Sequence, residues 1–230
     1  MENPNQINEA LELLTSVETA TIGHFRSEGF MDPAMQCVID GIRVAGRALT
    51  VSLPRDDGTA LLYALSRAMP GDILVIERPN DDRHACWGAV MTAAALARGV
   101  SAVVIDGYVT DVGAIRSAGL PVWCRGRSPI TTKPGGGGNV AAPVLCGGVT
   151  VSNGDVVLAD ENGVCILPPA KALAAAEEAL VIQAKEPGVI ARLENGEDIV
   201  KVYGLSPLER FRQKGRAISL KTMHKKSTHR

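Results

Sequence analysis

Apolar residues follow two rhythms along this chain. DILVIE (72–77) and SAVVID (101–106) are unbroken apolar runs bounded by glycine, proline or polar turns, so both read as strands buried on two faces. Residues 43–53 read as a further strand, closed by Pro54. Helical spacing marks residues 58–68, which end at the stop signal Met69-Pro70-Gly71. It also marks an alanine-rich segment, 88–98, followed by Gly99 where a left-handed cap residue belongs. Short helices are expected over 8–14, 17–27 and 111–118, and a strand over 121–124. Brief β runs follow at 144–145, 149–151, 156–159 and 164–167. A long helix then starts after Pro168-Pro169, most periodic over 171–185. PGDILVIERPN (70–80) echoes NGDVVLADENG (153–163), but two copies make no repeat architecture. Alternating strands and helices with a strand-rich end predict a layered α/β sandwich rather than a doubly wound sheet.

Composition narrows this picture. Aromatics make up 3% of the 230 residues, so the core must be aliphatic. The five cysteines are dispersed without a CxxC pair and read as free thiols in a reducing compartment. The polar N-terminus is unlike a secretion signal, and no apolar run approaches the ~20 residues that span a bilayer. A cytoplasmic protein without a membrane partner is expected. Residues 205–230 hold eight Lys or Arg against one acid, Glu209, a net of +7. With Phe211 as its only aromatic and no recognition motif, this tail reads as a solvated basic extension rather than a nucleic-acid arm. The expected organisation is one α/β domain over 1–204 and an extension over 205–230.

Candidate chemistry concentrates between residues 83 and 111. A buried strand leads into a loop carrying Arg83 and His84, and a helix starts after Trp87-Gly88. The free amides of Gly88, Ala89, Val90 and Met91 would suit a carboxylate or phosphate. The second strand is expected to end at Asp106, with a turn through Gly107 bringing Asp111 to a helix start. Two carboxylates within one turn suit a hard cation such as Mg²⁺; alternatively Asp111 is a helix cap and Asp106 a turn residue. In SPITTKPGGGG (128–138) the order is wrong for a Walker loop. Its glycine run should be mobile or held by a ligand, with Lys133 available as a lid over an anion.

Taken in order, RHACWGAVMTAAALARGVSAVVIDGYVTD resembles the signature of the class II 4-hydroxy-4-methyl-2-oxoglutarate / 4-carboxy-4-hydroxy-2-oxoadipate aldolases, a family that includes the regulator of ribonuclease activity A. GRALTV (46–51), AMPGDILVI (68–76) and NGDVVLADENGVCILP (153–168) are similar to other blocks of that RraA-like family. The resemblance implies an αββα sandwich of the swivelling-domain type and a trimer or hexamer with active sites at subunit interfaces. It also implies Mg²⁺ or Mn²⁺, and cleavage through a pyruvate enolate. Asp111 matches the family's metal-binding aspartate, and the helix start at Gly88 the site of the pyruvyl carboxylate. Lys185-Glu186 resembles a late Lys-Glu pair whose glutamate reaches a neighbour's metal water. Three positions depart. Thr110 stands where the family has an arginine, Ala89 where an acid is usual, and His24 replaces an aspartate. Arg83, His84 and Lys133 are candidates to restore positive charge, and His24 or His84 to act as acid or base. The function implied is a metal-dependent lyase, by retro-aldol cleavage or decarboxylation, on a small 2-oxo or hydroxy polycarboxylic acid. A non-catalytic interaction regulator and an isomerase or hydrolyase on 2-oxo acids are the alternatives.

Overall fold

The computed structural model describes residues 4–205. The basic extension expected beyond residue 205 lies outside them. The chain forms α1 (Pro4–Leu14), α2 (Thr19–Gly23), β1 (Gln36–Cys37), β2 (Val44–Ser52), α3 (Thr59–Arg67), β3 (Asp72–Glu77), β4 (Ala85–Trp87), α4 (Ala89–Ala97), β5 (Ala102–Val109) and α5 (Val112–Ala118). It continues through β6 (Val122–Arg127), β7 (Asn139–Val140), β8 (Val144–Cys146), β9 (Val149–Val151), β10 (Val156–Asp160), β11 (Gly163–Leu167) and α6 (Pro169–Gln183). The chain divides into two compact units at Lys185. The second opens with α7 (Glu186–Glu194) and α8 (Ile199–Val202). Neither helix buries a residue; the Arg192–Glu197 ion pair and the Asp198 cap on Val200 stabilise them locally. No helix among the described residues is long and apolar enough to cross a membrane.

In the first unit one sheet runs in the order β1-β6-β5-β3-β2-β10-β11. β2 joins its two halves, pairing parallel with β3 on one side and antiparallel with β10 on the other. Strand alternation then assigns every side chain a layer. Leu74 and Ile76 of β3, with Val103 and Ile105 of β5, pack under α3, α4 and α5. Ile73, Val75, Ala102 and Val104 point the other way and meet Val157, Ala159, Val164 and Ile166 of β10 and β11. The opposite faces of β10 and β11, through Val156, Leu158, Cys165 and Leu167, pack on α1, α2 and α6. The layers are therefore helix, sheet, sheet, helix, the αββα arrangement expected from the sequence. Four of the alanines buried here, Ala172, Ala175, Ala176 and Ala179, lie on α6, which lets that helix sit close to the sheet.

The two outer edges of the sheet are tied by one segment. Gly29 and Met31 exchange backbone bonds with Ile166 and Val164 of β11, at 2.7 and 2.9 Å. Five residues later β1 pairs with β6. Gly29 has φ +88, and a Cβ there would stand 2.3 Å from the Ile166 carbonyl oxygen. Gly29→Ala must therefore strain the backbone and push the strap off β11. We expect a loss of about 1–3 kcal/mol, read as a lower urea midpoint at unchanged slope.

Two local expectations change. β5 does not end at Asp106; it continues through Gly107 to Val109, with a register shift against β6 between Ile105 and Tyr108. Gly107 is needed for close packing rather than for a turn, since a Cβ would lie 2.8 Å from Cγ of the buried Arg78. The segment before α4 is also not all loop. Ala85–Trp87 forms β4, parallel to the end of β5.

Candidate functional site

The C-terminal ends of β4 and β5 meet the N-terminus of α4, and a cleft of about 290 Å³ opens there. Trp87, buried to 1% exposure, fixes the entry to α4. Its indole N–H donates to the Thr92 hydroxyl at 2.9 Å, and that hydroxyl donates to the Gly88 carbonyl at 2.9 Å. The Thr110 amide donates to the Trp87 carbonyl at 2.8 Å, which sets Thr110 and Asp111 beside Gly88. Asp111 is held at φ +50, a left-handed conformation that Asp and Asn tolerate better than other side chains. Its Oδ2 accepts the Ala89 amide at 3.0 Å. A Cβ at Gly88 would stand 2.6 Å from that oxygen, so Gly88 is required by the approach of Asp111. The exposed carboxylate thus faces the amide end of α4. The amides expected to bind a substrate carboxylate already serve, at Ala89, a carboxylate of the protein.

The opposite wall is the segment 130–134. Ala85 and Thr132 bond it to β4, with Ala85 N–H donating to the Ile130 carbonyl at 2.7 Å and Thr132 N–H to the Ala85 carbonyl at 3.1 Å. Lys133 is fixed through its own backbone. Its N–H donates to the Asp56 carbonyl at 2.8 Å, and its carbonyl accepts the Gly58 amide at 3.0 Å. The glycine run that follows needs no ligand to hold it. Asp57 accepts the Gly135 and Gly137 amides at 3.0 and 2.6 Å, and Thr59 Oγ1 accepts those of Gly135 and Gly136 at 3.0 and 2.8 Å. Asp57 also accepts the first amide of α3, from Thr59, at 2.8 Å. The expected mobile or ligand-held loop is instead stitched to α3 by a carboxylate. The D-x-T pattern before α3 was a capping signal that carries this second role. The Thr59 hydroxyl and amide, then the glycine amides, hold the Asp57 carboxyl well below the usual carboxylate range against the opposing effect of burial.

Other expected site residues fall elsewhere. Asp106 does not share the cleft with Asp111. It lines a separate depression with Arg78 and Arg125, ion-paired with Arg125 and accepting the Gly147 amide at 2.7 Å. The strand's continuation to Val109 separates the two carboxylates, which a turn at Gly107 would have brought together. Arg125 also pairs with Asp32 at 2.8 Å, and the Asp106 and Asp32 carboxylates hold its guanidinium charged. His84 is outside the cleft lining, its Nδ1 3.0 Å from Asp81, whose carboxylate also pairs with the buried Arg78. Arg83 is exposed beside it, its amide donating to Asp81 at 3.0 Å. His24 is exposed at the end of α2, in the layer of α1 and α6. Glu186 is exposed at the start of α7, in the second unit. Gly88, Ala89, Val90, Met91, Thr110, Asp111 and Lys133 do line one cleft. Leu61 and Leu62 of α3 join them, contacts that nothing in the local sequence announced. Cys86 lines it too, but burial pushes its thiol up to about 11, so it offers no thiolate at neutral pH.

The layers and the cleft at the strand ends define an RraA-type α/β sandwich. The chain belongs to the RraA-like family (Aldolase/RraA), whose profile matches residues 14–166; it is a divergent member with Thr110 in place of the Arg of the Arg-Asp motif. A protein of Halalkalibacterium halodurans named "Putative 4-hydroxy-4-methyl-2-oxoglutarate aldolase" is 35% identical over 126 residues, which cover 55% of this chain and 60% of that one. Protein MJ0644 of Methanocaldococcus jannaschii is 32% identical over 164 residues, covering 70% and 78%. Among solved structures, Streptomyces coelicolor RraAS2, described as an unusual member of the RNase ES inhibitor RraA family, superposes with TM-score 0.68 at 26% identity, covering 80% of this chain and 96% of that one.

The Asp57 clamp gives a pH-dependent expectation. Its carboxyl is depressed in the folded state, so its stabilisation is complete above the unfolded value near 3.9 and is lost as pH falls through the folded one. Asp57→Asn should lower the urea midpoint at neutral pH. The gap between the two proteins should stay constant down to about pH 4 and shrink below it.

Proposed function

We propose that this chain is a divalent-metal-dependent carbon–carbon lyase acting on a small 2-oxo or hydroxy acid. The observation that carries the reading is the Asp111 carboxylate, held by a left-handed backbone and by the Ala89 amide at the mouth of the cleft. The donor set is compatible with Mg²⁺ or Mn²⁺ in a particular way. No cluster of three or more His, Cys, Asp or Glu suited to a metal exists among the described residues. Asp111 Oδ2 is engaged, while Oδ1 has only the Thr110 hydroxyl at 3.4 Å. A hard cation held by one carboxylate, with water and substrate oxygens completing its shell, fits such a site. When bound, it would act as a Lewis acid on the substrate's 2-oxo group. The protein's own contribution is to fix Asp111, to present Lys133 as the cation of the cleft lining, and to line the cleft with Leu61, Val90 and Met91. Relatives named as aldolases support the same class of reaction.

The surface supports self-association as part of this reading. α4 is apolar on nearly every side, with Val90 73% and Leu96 43% exposed, and Leu62 of α3 is 46% exposed beside the cleft. A homo-oligomer, trimer or hexamer, would cover this face and place the cleft at an interface. A second reading is favoured by Thr110, which leaves the cleft lining without arginine. A protein-interaction regulator, in the manner of the RNase ES inhibitor family, needs no charge there. Inhibition of RNase ES by the purified chain, with no turnover of any acid, would establish it.

The lyase is tested by pyruvate release from 4-hydroxy-2-oxo acids and oxaloacetate-like acids with Mg²⁺ or Mn²⁺. Asp111→Asn keeps the backbone conformation and an acceptor for Ala89 while removing the charge. We expect it to lower kcat/KM by about 100-fold or more and to weaken Mn²⁺ binding. An inert wild-type protein, or a variant as active as wild type, would sink this reading.

A further inference from the structure

A second depression, of about 520 Å³, lies where the loop after β3 meets β5 and β6. It shares no residue with the cleft of Asp111. None of the large apolar side chains exposed among the described residues lines it, so it is no part of the apolar face that self-association would cover. A local irregularity builds it. From Ile105 to Tyr108 β5 advances three residues while β6 advances two, from Cys124 to Gly126. That is a β-bulge, a feature that re-aims side chains. Two glycines then make room. Gly107 admits Arg78, and a Cβ on Gly126 would stand 3.4 Å from both Cδ1 and Cε1 of Tyr108. The Tyr108 ring therefore rests against bare β6 backbone.

The charged groups of the depression are held in place and balance one another. Arg78 is ion-paired with Asp81 and donates to the Leu53 and Arg55 carbonyls at 3.3 and 2.6 Å. Arg125 is held by Asp106 through Nε and by Asp32 through Nη1. The lining has three aspartates to two arginines, and Asp32 adds a further carboxylate, so an anion finds no unbalanced cation. A metal ion is equally unsuited, because guanidinium groups stand among the carboxylates and no metal-binding cluster exists among the described residues. Neutral hydrogen-bonding capacity remains. The side chains of Asn80, Asp82 and Tyr108 have no partner among the described residues, and Arg125 has Nη2 left over. Ring hydroxyls can donate to carboxylates and accept from amide and guanidinium N–H groups. The C–H face of such a ring can bury apolar surface on an aromatic side chain.

We propose that this depression binds a neutral monosaccharide with adjacent free hydroxyls. Tyr108 supplies the aromatic platform, and Asn80, Asp82 and Arg125 hold the hydroxyls. The site is independent of the lyase reading and of any metal.

The test is saturation-transfer NMR of the full chain, in EDTA, with D-glucose, D-galactose, D-mannose and D-ribose, followed by titration of each sugar that responds. We expect at least one to bind with a Kd of about 10 mM or tighter. Tyr108→Ala should weaken it about tenfold or more, while Tyr108→Phe, which keeps the ring, should stay within about threefold. Asp82→Ala, at an exposed position without a protein partner, should weaken it about fivefold or more at an unchanged urea midpoint. Asp111→Asn should bind the sugar as wild type does, which separates this site from the cleft. Where Tyr108→Ala lowers the urea midpoint, Asp82→Ala decides. No response from any of the four sugars, wild-type affinity in Asp82→Ala, or loss of binding in Asp111→Asn would each overturn the proposal. Tighter binding of D-glucuronate or D-glucosamine than of D-glucose would do so too, since the pocket would then be reading charge.

Discussion

β2 is hydrogen-bonded on both sides to strands of opposite sense, and its outward face serves two different helical layers. Ala45 packs toward α1 and α6, while Leu49 and Val51 pack toward α3. The other face of the same strand, through Val44 and Ala48, points into the space between the sheet halves. A flat sheet cannot satisfy all three environments, so the halves fold over one another. That inner space is filled mainly by Val, Ile, Ala and Met, together with the buried Trp123 and Cys146. The helices follow from the remaining apolar faces, and β3, β4 and β5 then end together on the side where α4 begins.

Much of this was legible in the chain because parallel strands buried on both faces leave an unmistakable apolar run. DILVIE fell on β3 residue for residue. The alanine-rich helix and its Gly99 terminator were likewise marked by composition and spacing. Elements defined by pairing alone left no such trace. β1, β4 and β7 are two or three residues long, and only a partner strand makes them strands. The same blindness affected Asp106. Its neighbour Gly107 carries the signature of a turn, but the packing of Arg78 is what requires glycine there. Local propensity gives no view of a side chain arriving from another strand.

The site divides along the same line. The placement of Gly88 and Asp111 in one cleft followed from strand ends and helix starts, a rule of topology that sequence order preserves. The charges expected to replace the missing arginine did not all follow. Arg83 and His84 are close in sequence to the cleft, but Asp81, which also pairs with the buried Arg78, accepts both their backbone amides and stands 3.0 Å from the His84 ring. Lys133 is distant in sequence and yet lines the cleft, since the backbone ladder from Ala85 to Thr132 carries it there.

Asp111 also constrains how this protein can change over generations. At φ +50, next to a glycine whose space it fills, the position admits few residues without disturbing α4. Asparagine is foremost among them, and a single base change in an aspartate codon reaches it. A lineage can therefore lose this charge in one step while the scaffold stays intact. Recovery is equally short. The charge and the architecture are in this sense separately heritable.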